Sequence, residues 1–147
     1  MANLKKVTLT ASDGSTVEFV DQIFSNGAVK DAYWVVGKKE VVLFYRDKID
    51  ANTRQRLENI VGLYRDKIFN QPGGDYWEQQ FCWPTKMVEW EGKTGLVCPA
   101  YNRKFFFPDG SFKGKENIGK WFASAKLFNR FLPPTEKGTW INYFNML

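Results

Sequence analysis

Apolar residues recur with period two along the first hundred positions, broken by one long stretch of helical period. Val7, Leu9 and Ala11 alternate with polar residues, and Val17 and Phe19 alternate on the return. With Asp13-Gly14 as a type I′ turn signal between them, they predict a hairpin within residues 1–20. Tyr33-Trp-Val-Val36 and Val41-Val-Leu-Phe-Tyr45 form a second strand pair within 21–46, turned at Gly37-Lys38-Lys39, where Gly37 supplies a positive φ. Both runs are nearly continuous in apolar character, so part of this sheet is expected to be covered on both faces. Lys86–Trp90 and Thr94–Cys98, turned by Glu91-Gly92-Lys93, make a third pair over 86–98, and Pro99 stops it because proline cannot continue a central ladder.

Between the second and third pairs, Leu57, Ile60, Val61, Tyr64 and Ile68 recur at helical spacing. They predict one helix over 50–70, capped by Asp50 or Asn52 and lying with its stripe on the sheet. Gln71-Pro-Gly-Gly-Asp75 ends it, and an aromatic connection from Tyr76 to Pro84 leads on to the third pair. Arg103 to Gly110 reads as a loop carrying Phe105, Phe106 and Phe107. Lys115–Leu132 and Thr139–Leu147 read as two further helices separated by Pro133-Pro134.

Composition narrows the chemistry. The chain has 147 residues, 44% hydrophobic and 17% aromatic, enough for one compact domain with its own core. It contains no histidine, which excludes Ser-His and Cys-His catalysis and histidine metal sites. Cys82 and Cys98 are too few for a disulfide framework and lack metal-ligand spacing, so both are expected to be buried thiols in a reducing, cytoplasmic setting. The net charge of +5 suits an anionic ligand such as a nucleotide.

Asn26-Gly-Ala-Val-Lys-Asp-Ala-Tyr33 resembles a degenerate protein-kinase Gly-rich loop, whose usual form is G-x-G-x-x-G-x-V. Gly27 matches the second glycine, Lys30 stands at the third, and Ala32-Tyr33 stands where the valine and its aromatic neighbour sit. Val41-Val-Leu-Phe44 falls where V-A-I-K is expected, with Leu43 in the lysine slot. The placement is similar to that of the with-no-lysine kinases, in which the phosphate-binding lysine has moved into the loop. The move is chemically allowed, because a lysine is a point charge on a flexible stem and can reach the α/β-phosphates from a neighbouring strand. Cys82-Trp-Pro-Thr85 and Gly95-Leu-Val-Cys-Pro-Ala100 resemble bacterial kinase-like proteins found with a fused or neighbouring helix-hairpin-helix or stress-response module. The resemblance covers residues 27–101.

It implies an α+β fold over residues 1–101. This would be a kinase-like N-terminal lobe with a five- to six-stranded antiparallel sheet and one packed helix equivalent to the kinase αC helix. Residues 102–147 would then be a hinge and the first helices of a truncated second lobe. It further implies ATP as ligand. Lys30 would bind the phosphates and Glu58 would orient Lys30, although without the resemblance Glu58 reads equally as a solvated flank residue. Gly27, Ala28 and Val29 would let backbone approach the phosphates, Leu43 would lie beside them, Val97 or Cys98 would be the gatekeeper, and the backbone of Pro99, Ala100, Tyr101 and Asn102 would hold adenine. The chain lacks H-R-D, D-F-G and A-P-E, so the base and the Mg²⁺ ligands would lie in the missing lobe and the chain alone would be inactive. A pseudokinase scaffold fits Leu43 as well. A non-catalytic module for protein or single-stranded nucleic acid is the alternative from another class, suggested by six Trp and thirteen Phe. The apolar face of Trp140, Ile141, Phe144 and Leu147 leads to the expectation of a homodimer through residues 139–147.

Overall fold

The computed structural model describes residues 4–108 and 113–116; the helices expected over 115–132 and 139–147, with the dimer contact placed on the latter, lie outside the described residues except for Lys115 and Glu116. Those two form a bend and a bridge to Phe106 rather than a first helical turn. The chain divides into two units, 1–100 and 101–147.

The first unit is α+β, with a six-stranded antiparallel sheet and two helical segments. The strands are β1 (Lys6–Thr10), β2 (Thr16–Asn26), β3 (Lys30–Val35), β4 (Glu40–Tyr45), β5 (Lys86–Trp90) and β6 (Lys93–Pro99). Their order in the sheet is β1-β2-β3-β4-β6-β5. The two edges approach each other: the Ser12 N–H donates to the Met87 carbonyl at 2.8 Å, and the Met87 N–H donates to Ser12 Oγ at 3.0 Å. The sheet therefore curls around one of its faces. That inner face holds Val17, Phe19, Tyr33, Val42, Phe44, Val88 and Val97, with Val7, Leu9, Val35 and Trp90 packed around them. Each large side chain withdrawn from water there contributes roughly 1.5–3 kcal/mol.

The turns explain the register. The first hairpin does not close with a two-residue type I′ turn. Ala11 N–H bonds the Ser15 carbonyl and Gly14 N–H bonds the Ala11 carbonyl, with Gly14 at φ +80°, so the loop is longer and Asp13 spends its carboxylate on Ser15. The β3–β4 turn does use Gly37 at φ +92°, joined by Lys38 at φ +55°. Glu91 and Gly92 both have positive φ, the type I′ signature, between paired Trp90 and Lys93. At Gly95 the sheet leaves no room for a side chain: a Cβ there would lie 2.6 Å from the Phe44 ring and 2.9 Å from Val88.

The outer face is covered by the helix. Leu57 of α1 (Ala51–Asn59) packs with Met87, Leu96 and Cys98, bordered by Val41, Leu43, Tyr45, Ile49, Ile60 and Val61. Asp50 caps α1 by accepting from the Thr53 N–H, which holds its carboxyl below its usual range. The single helix expected over 50–70 is interrupted. Ile60–Tyr64 is π-helical, and α2 (Arg65–Phe69) resumes beyond it. The π turn shifts the phase of the apolar stripe, so Tyr64 is exposed and Phe69 is buried in its place. Trp83 secures the shift: its Nε1–H donates to the Ile60 carbonyl at 2.8 Å, and its ring meets Phe69 edge-on at 5.8 Å. The aromatic connection expected from Tyr76 to Pro84 contains a short helix, α3 (Gly74–Gln80), with exposed Tyr76 and Trp77.

Two outcomes check this packing. Gly95→Ala is expected to lower the urea midpoint by about 1–3 kcal/mol of stability through overpacking against Phe44. The folded Asp50 carboxyl titrates below its ordinary 3.8, so its contribution is complete above that pH and disappears as pH falls through the lower folded value. Wild type is therefore more stable than Asp50→Ala at neutral pH, and the difference closes in acid, as thermal melts across pH 2–7 would record.

Candidate functional site

The site is built on the outer face where α1 does not reach. Strand alternation sends Asp31, Tyr33 and Val35 of β3 to the inner face and Lys30, Ala32 and Trp34 to the outer one. The same alternation on β4 puts Val41, Leu43 and Tyr45 outside, and on β6 it puts Leu96 and Cys98 outside. Pairing arranges these residues in rows: Trp34 opposite Val41 opposite Cys98, then Ala32 opposite Leu43 opposite Leu96, then Lys30 opposite Tyr45. Lys30 is thus one diagonal step from Leu43, a separation of roughly 7–8 Å on one face of a sheet.

Lys30 Nζ lies over the Tyr45 ring, 4.6 Å from its centre, and has no carboxylate partner among the described residues. Its neighbour Asp31 faces the other way and is taken by Arg46 at 2.8 Å. Arg46 also ties down the preceding turn: its N–H bonds the Val29 carbonyl at 3.1 Å, and its guanidinium reaches the Ala28 carbonyl at 3.5 Å. The Gly27 N–H donates to the Lys30 carbonyl at 2.9 Å, closing the turn. The amides of Ala28 and Val29 have no partner among the described residues, and the Val29 side chain is exposed. A Cβ on Gly27 would meet the Lys30 carbonyl at 3.5 Å, an ordinary contact, so the fold of the turn does not itself demand glycine.

At the other end of the face Phe24 stacks on Trp34, ring centres 4.4 Å apart and planes 20° apart, with Phe24 44% exposed. Neither residue was marked as functional by the sequence pattern. Alternation from Phe19 already puts Phe24 on this face; irregular pairing of β2 between Phe19 and Ile23 and again between Ile23 and Ser25 then moves it along β3 to Trp34, where an unbroken register would set it opposite Lys30. Trp34 to Lys30 is four residues along one strand, about 13 Å.

The expected site residues divide. Lys30, Leu43 and Cys98 share the outer face, with the Gly27–Val29 turn at its end. Val97, offered as a gatekeeper, points to the inner core and is fully buried there; Cys98 occupies the outer position. Pro99 and Ala100 continue from that row, and the Ala100 N–H is bonded to the Lys39 carbonyl at 2.9 Å. Tyr101 begins the second unit. Glu58 is not brought to Lys30. It is exposed and lines a groove of about 260 Å³ with Ser12, Arg54, Met87 and Glu89, at the edge where β1 meets β5. Lys30 is three strands away from β5, about 14 Å in strand spacings. The reason is tertiary: Leu57 sets the phase of α1 by packing on the sheet, and on the Glu58 side Arg54, one turn earlier, meets Glu89 of β5 and Thr94 of β6.

The cysteines also separate. Cys98 is buried, as expected; burial pushes its thiol up to about 11, with the nearby Lys30 charge acting in the opposite direction. Cys82 is exposed, contrary to the expectation of two buried thiols, because the chain between α3 and β5 runs over the surface. Among the described residues no group of three or more metal-ligating side chains occurs, and no helix is long and apolar enough to cross a membrane. No family model, curated protein or solved structure matches this chain.

A thiol reagent at neutral pH is expected to modify one cysteine per native chain, and none in Cys82→Ser. Cys98 should become reactive only on unfolding or as pH approaches 11, where it begins to ionise. Rapid labelling of both thiols in the native state would contradict the packing described.

Proposed function

We propose that this chain is the nucleotide-binding lobe of a bacterial serine/threonine protein kinase-like protein, with Lys30 acting on the phosphates. The observation that carries the reading is the position of Lys30. Its amine, which has no carboxylate partner among the described residues, stands one diagonal from Leu43 on the same sheet face, after a turn whose Ala28 and Val29 amides have no partner among the described residues either. Backbone N–H groups and a lysine amine on one short stretch are the chemistry that an anion needs. The element order also supports it: a glycine-bearing turn between two strands, a strand with Leu43, a helix packed on that face, two further strands, and then Pro99–Ala100. Gly27, dispensable for the turn itself, leaves clearance for a phosphate.

In this reading Lys30, Ala28 and Val29 hold the polyphosphate of ATP and Tyr45 keeps the lysine aligned, while Leu43 and Cys98 pack beneath α1 and support the strands from that side. Glu58 plays no part in the arrangement described. The chain contains no H-R-D or D-F-G, so in this reading it binds ATP without transferring phosphate by itself.

The nucleic-acid reading draws less support. Trp90 packs into the inner core and Trp34 lies on the opposite face, so the two do not share one open platform; of Phe105 and Phe107, the first is 47% exposed and the second 1%.

Calorimetry of the whole chain with Mg-ATP is the test. Binding is expected to be weaker than micromolar, above about −8 kcal/mol. Lys30→Met should weaken it roughly tenfold or more, the loss of one charge-assisted contact, whereas Glu58→Gln should leave it unchanged. Affinity indifferent to Lys30→Met would remove the reading.

A further inference from the structure

We infer that the open edge of β1 takes up an extended peptide of a partner protein, in which a basic residue alternates with apolar ones. The peptide adds its main chain to Thr8 and Thr10 and sets its basic side chain on Glu58. This surface lies apart from Lys30, and the inference does not depend on the nucleotide reading.

The backbone carries the first half of the argument. The two edges of the sheet are β1 and β5. On β1 the Ala11 N–H donates to the Ser15 carbonyl and the Lys5 carbonyl accepts from the Asp21 N–H, both on the β2 side. Backbone groups of successive residues in an antiparallel strand point alternately to the two sides, so those of Lys6, Thr8, Thr10 and Ser12 point away from β2. Ser12 does so: its N–H donates to the Met87 carbonyl. On β5 the Met87 N–H and carbonyl both meet Ser12, so the backbone groups of Glu89, two residues on, point to the same side. Continued from that contact, an antiparallel register would set Thr10 opposite Glu89. No such pairing forms. The edges part there around the groove of about 260 Å³, with Arg54 and Glu58 of α1 along one side. Among the described residues the outward N–H and carbonyl groups of Thr8 and Thr10 have no partner. Nothing matches such an edge as well as another extended main chain, whose own N–H and C=O groups recur at the same spacing.

Side chains decide which peptide fits. A strand paired on β1 sends its side chains alternately to the outer and inner faces of the sheet. On the outer side stands α1. Arg54 is occupied there by Glu89 and Thr94, whereas the Glu58 carboxylate is exposed and has no partner among the described residues. Its complement is a lysine or arginine. On the inner side the core residues of the two edge strands, Val7 and Leu9 of β1 and Trp90 of β5, are only partly buried. Apolar side chains complete their cover. The devices that usually blunt an edge are few: Lys6 stands at the start of β1, already paired with Glu18 at 3.8 Å, and the strand has neither proline nor bulge.

The probe is a blocked peptide of about seven residues in which valine and lysine alternate, long enough to span β1. It is titrated into the whole chain, and amide hydrogen exchange is followed by NMR. The Thr8 and Thr10 amides are expected to exchange about tenfold or more slowly with the peptide present, because each becomes a ladder donor. Glutamate in place of the peptide's lysines should weaken binding about tenfold, through like charge at Glu58. Glu58→Gln should weaken the lysine peptide about threefold, the worth of one exposed ion pair, and leave the glutamate peptide no weaker. N-methylation of every peptide amide should abolish binding, since main-chain hydrogen bonds supply the affinity. Equal affinity for the lysine and glutamate peptides would overturn the inference, as would tolerance of N-methylation, binding that leaves Thr8 and Thr10 exchange unchanged, or no binding at millimolar concentration. Thr8 and Thr10 amides already protected in the free chain would overturn it as well. Protection lost on dilution would then give the edge to a second copy, and protection that survives dilution to a segment of the same chain.

Discussion

The structure depends on one aromatic cluster. Phe19 is fully buried and touches Tyr33, Phe44 and Trp90 at ring-centre distances of 5.4, 5.4 and 5.0 Å, so strands β2, β3, β4 and β5 are joined through a single side chain. Edge-on and tilted ring contacts of this kind are directional, and each adds roughly 0.5–1.5 kcal/mol beyond area burial. A core of that width is sealed only if the sheet curls, and the Ser12–Met87 hydrogen bonds record that curl. Gly95 is the place where the curl is tightest against Phe44, and a methyl group there has nowhere to go.

With the inner face committed to this core, the candidate site lies on the outer one. The helix packs there over β4, β6 and β5. Lys30 and Trp34 fall on the outer face of β3 because both are even-numbered on a strand whose odd positions face the core. Arg46 sharpens the division. It takes Asp31 on the inner side, and among the described residues Lys30 has no carboxylate partner. An amine resting on the Tyr45 ring is held by a contact of only about 0.5–2 kcal/mol, which an anion can readily displace.

The helix is held in a different way. Its two ends answer to different partners: Arg54 is tied to Glu89 and Thr94 at the β5 edge, while Phe69 is buried against Trp83. A continuous α-helix cannot satisfy both phases. The π turn at Ile60–Tyr64 absorbs the mismatch, and the Trp83 indole bonds the Ile60 carbonyl within it. Glu58 is carried with the Arg54 end, which is why it lies far from Lys30.

The sequence by itself determined the existence of the strands, the helix start and much of the inner core. Period-two alternation, Asp50 as a cap and the Gly37 and Gly92 turns are local signals that the backbone obeys, whereas Asp13-Gly14 closes a longer loop than its dipeptide suggests. The sequence also put Lys30 next to the Gly27 turn, since both belong to a single short stretch. Tertiary structure decided the rest. Which of Val97 and Cys98 faces the site is a matter of register against β4, and the emergence of Phe24 beside Trp34 follows from irregular pairing in β2. The burial of Phe69 in place of Tyr64 follows from a π turn secured by Trp83, and the remoteness of Glu58 from the pull of a strand 35 residues further along the chain. Periodicity records which residues are apolar along one element. It carries no information on the partner that fixes that element's phase, and here the partners were long-range.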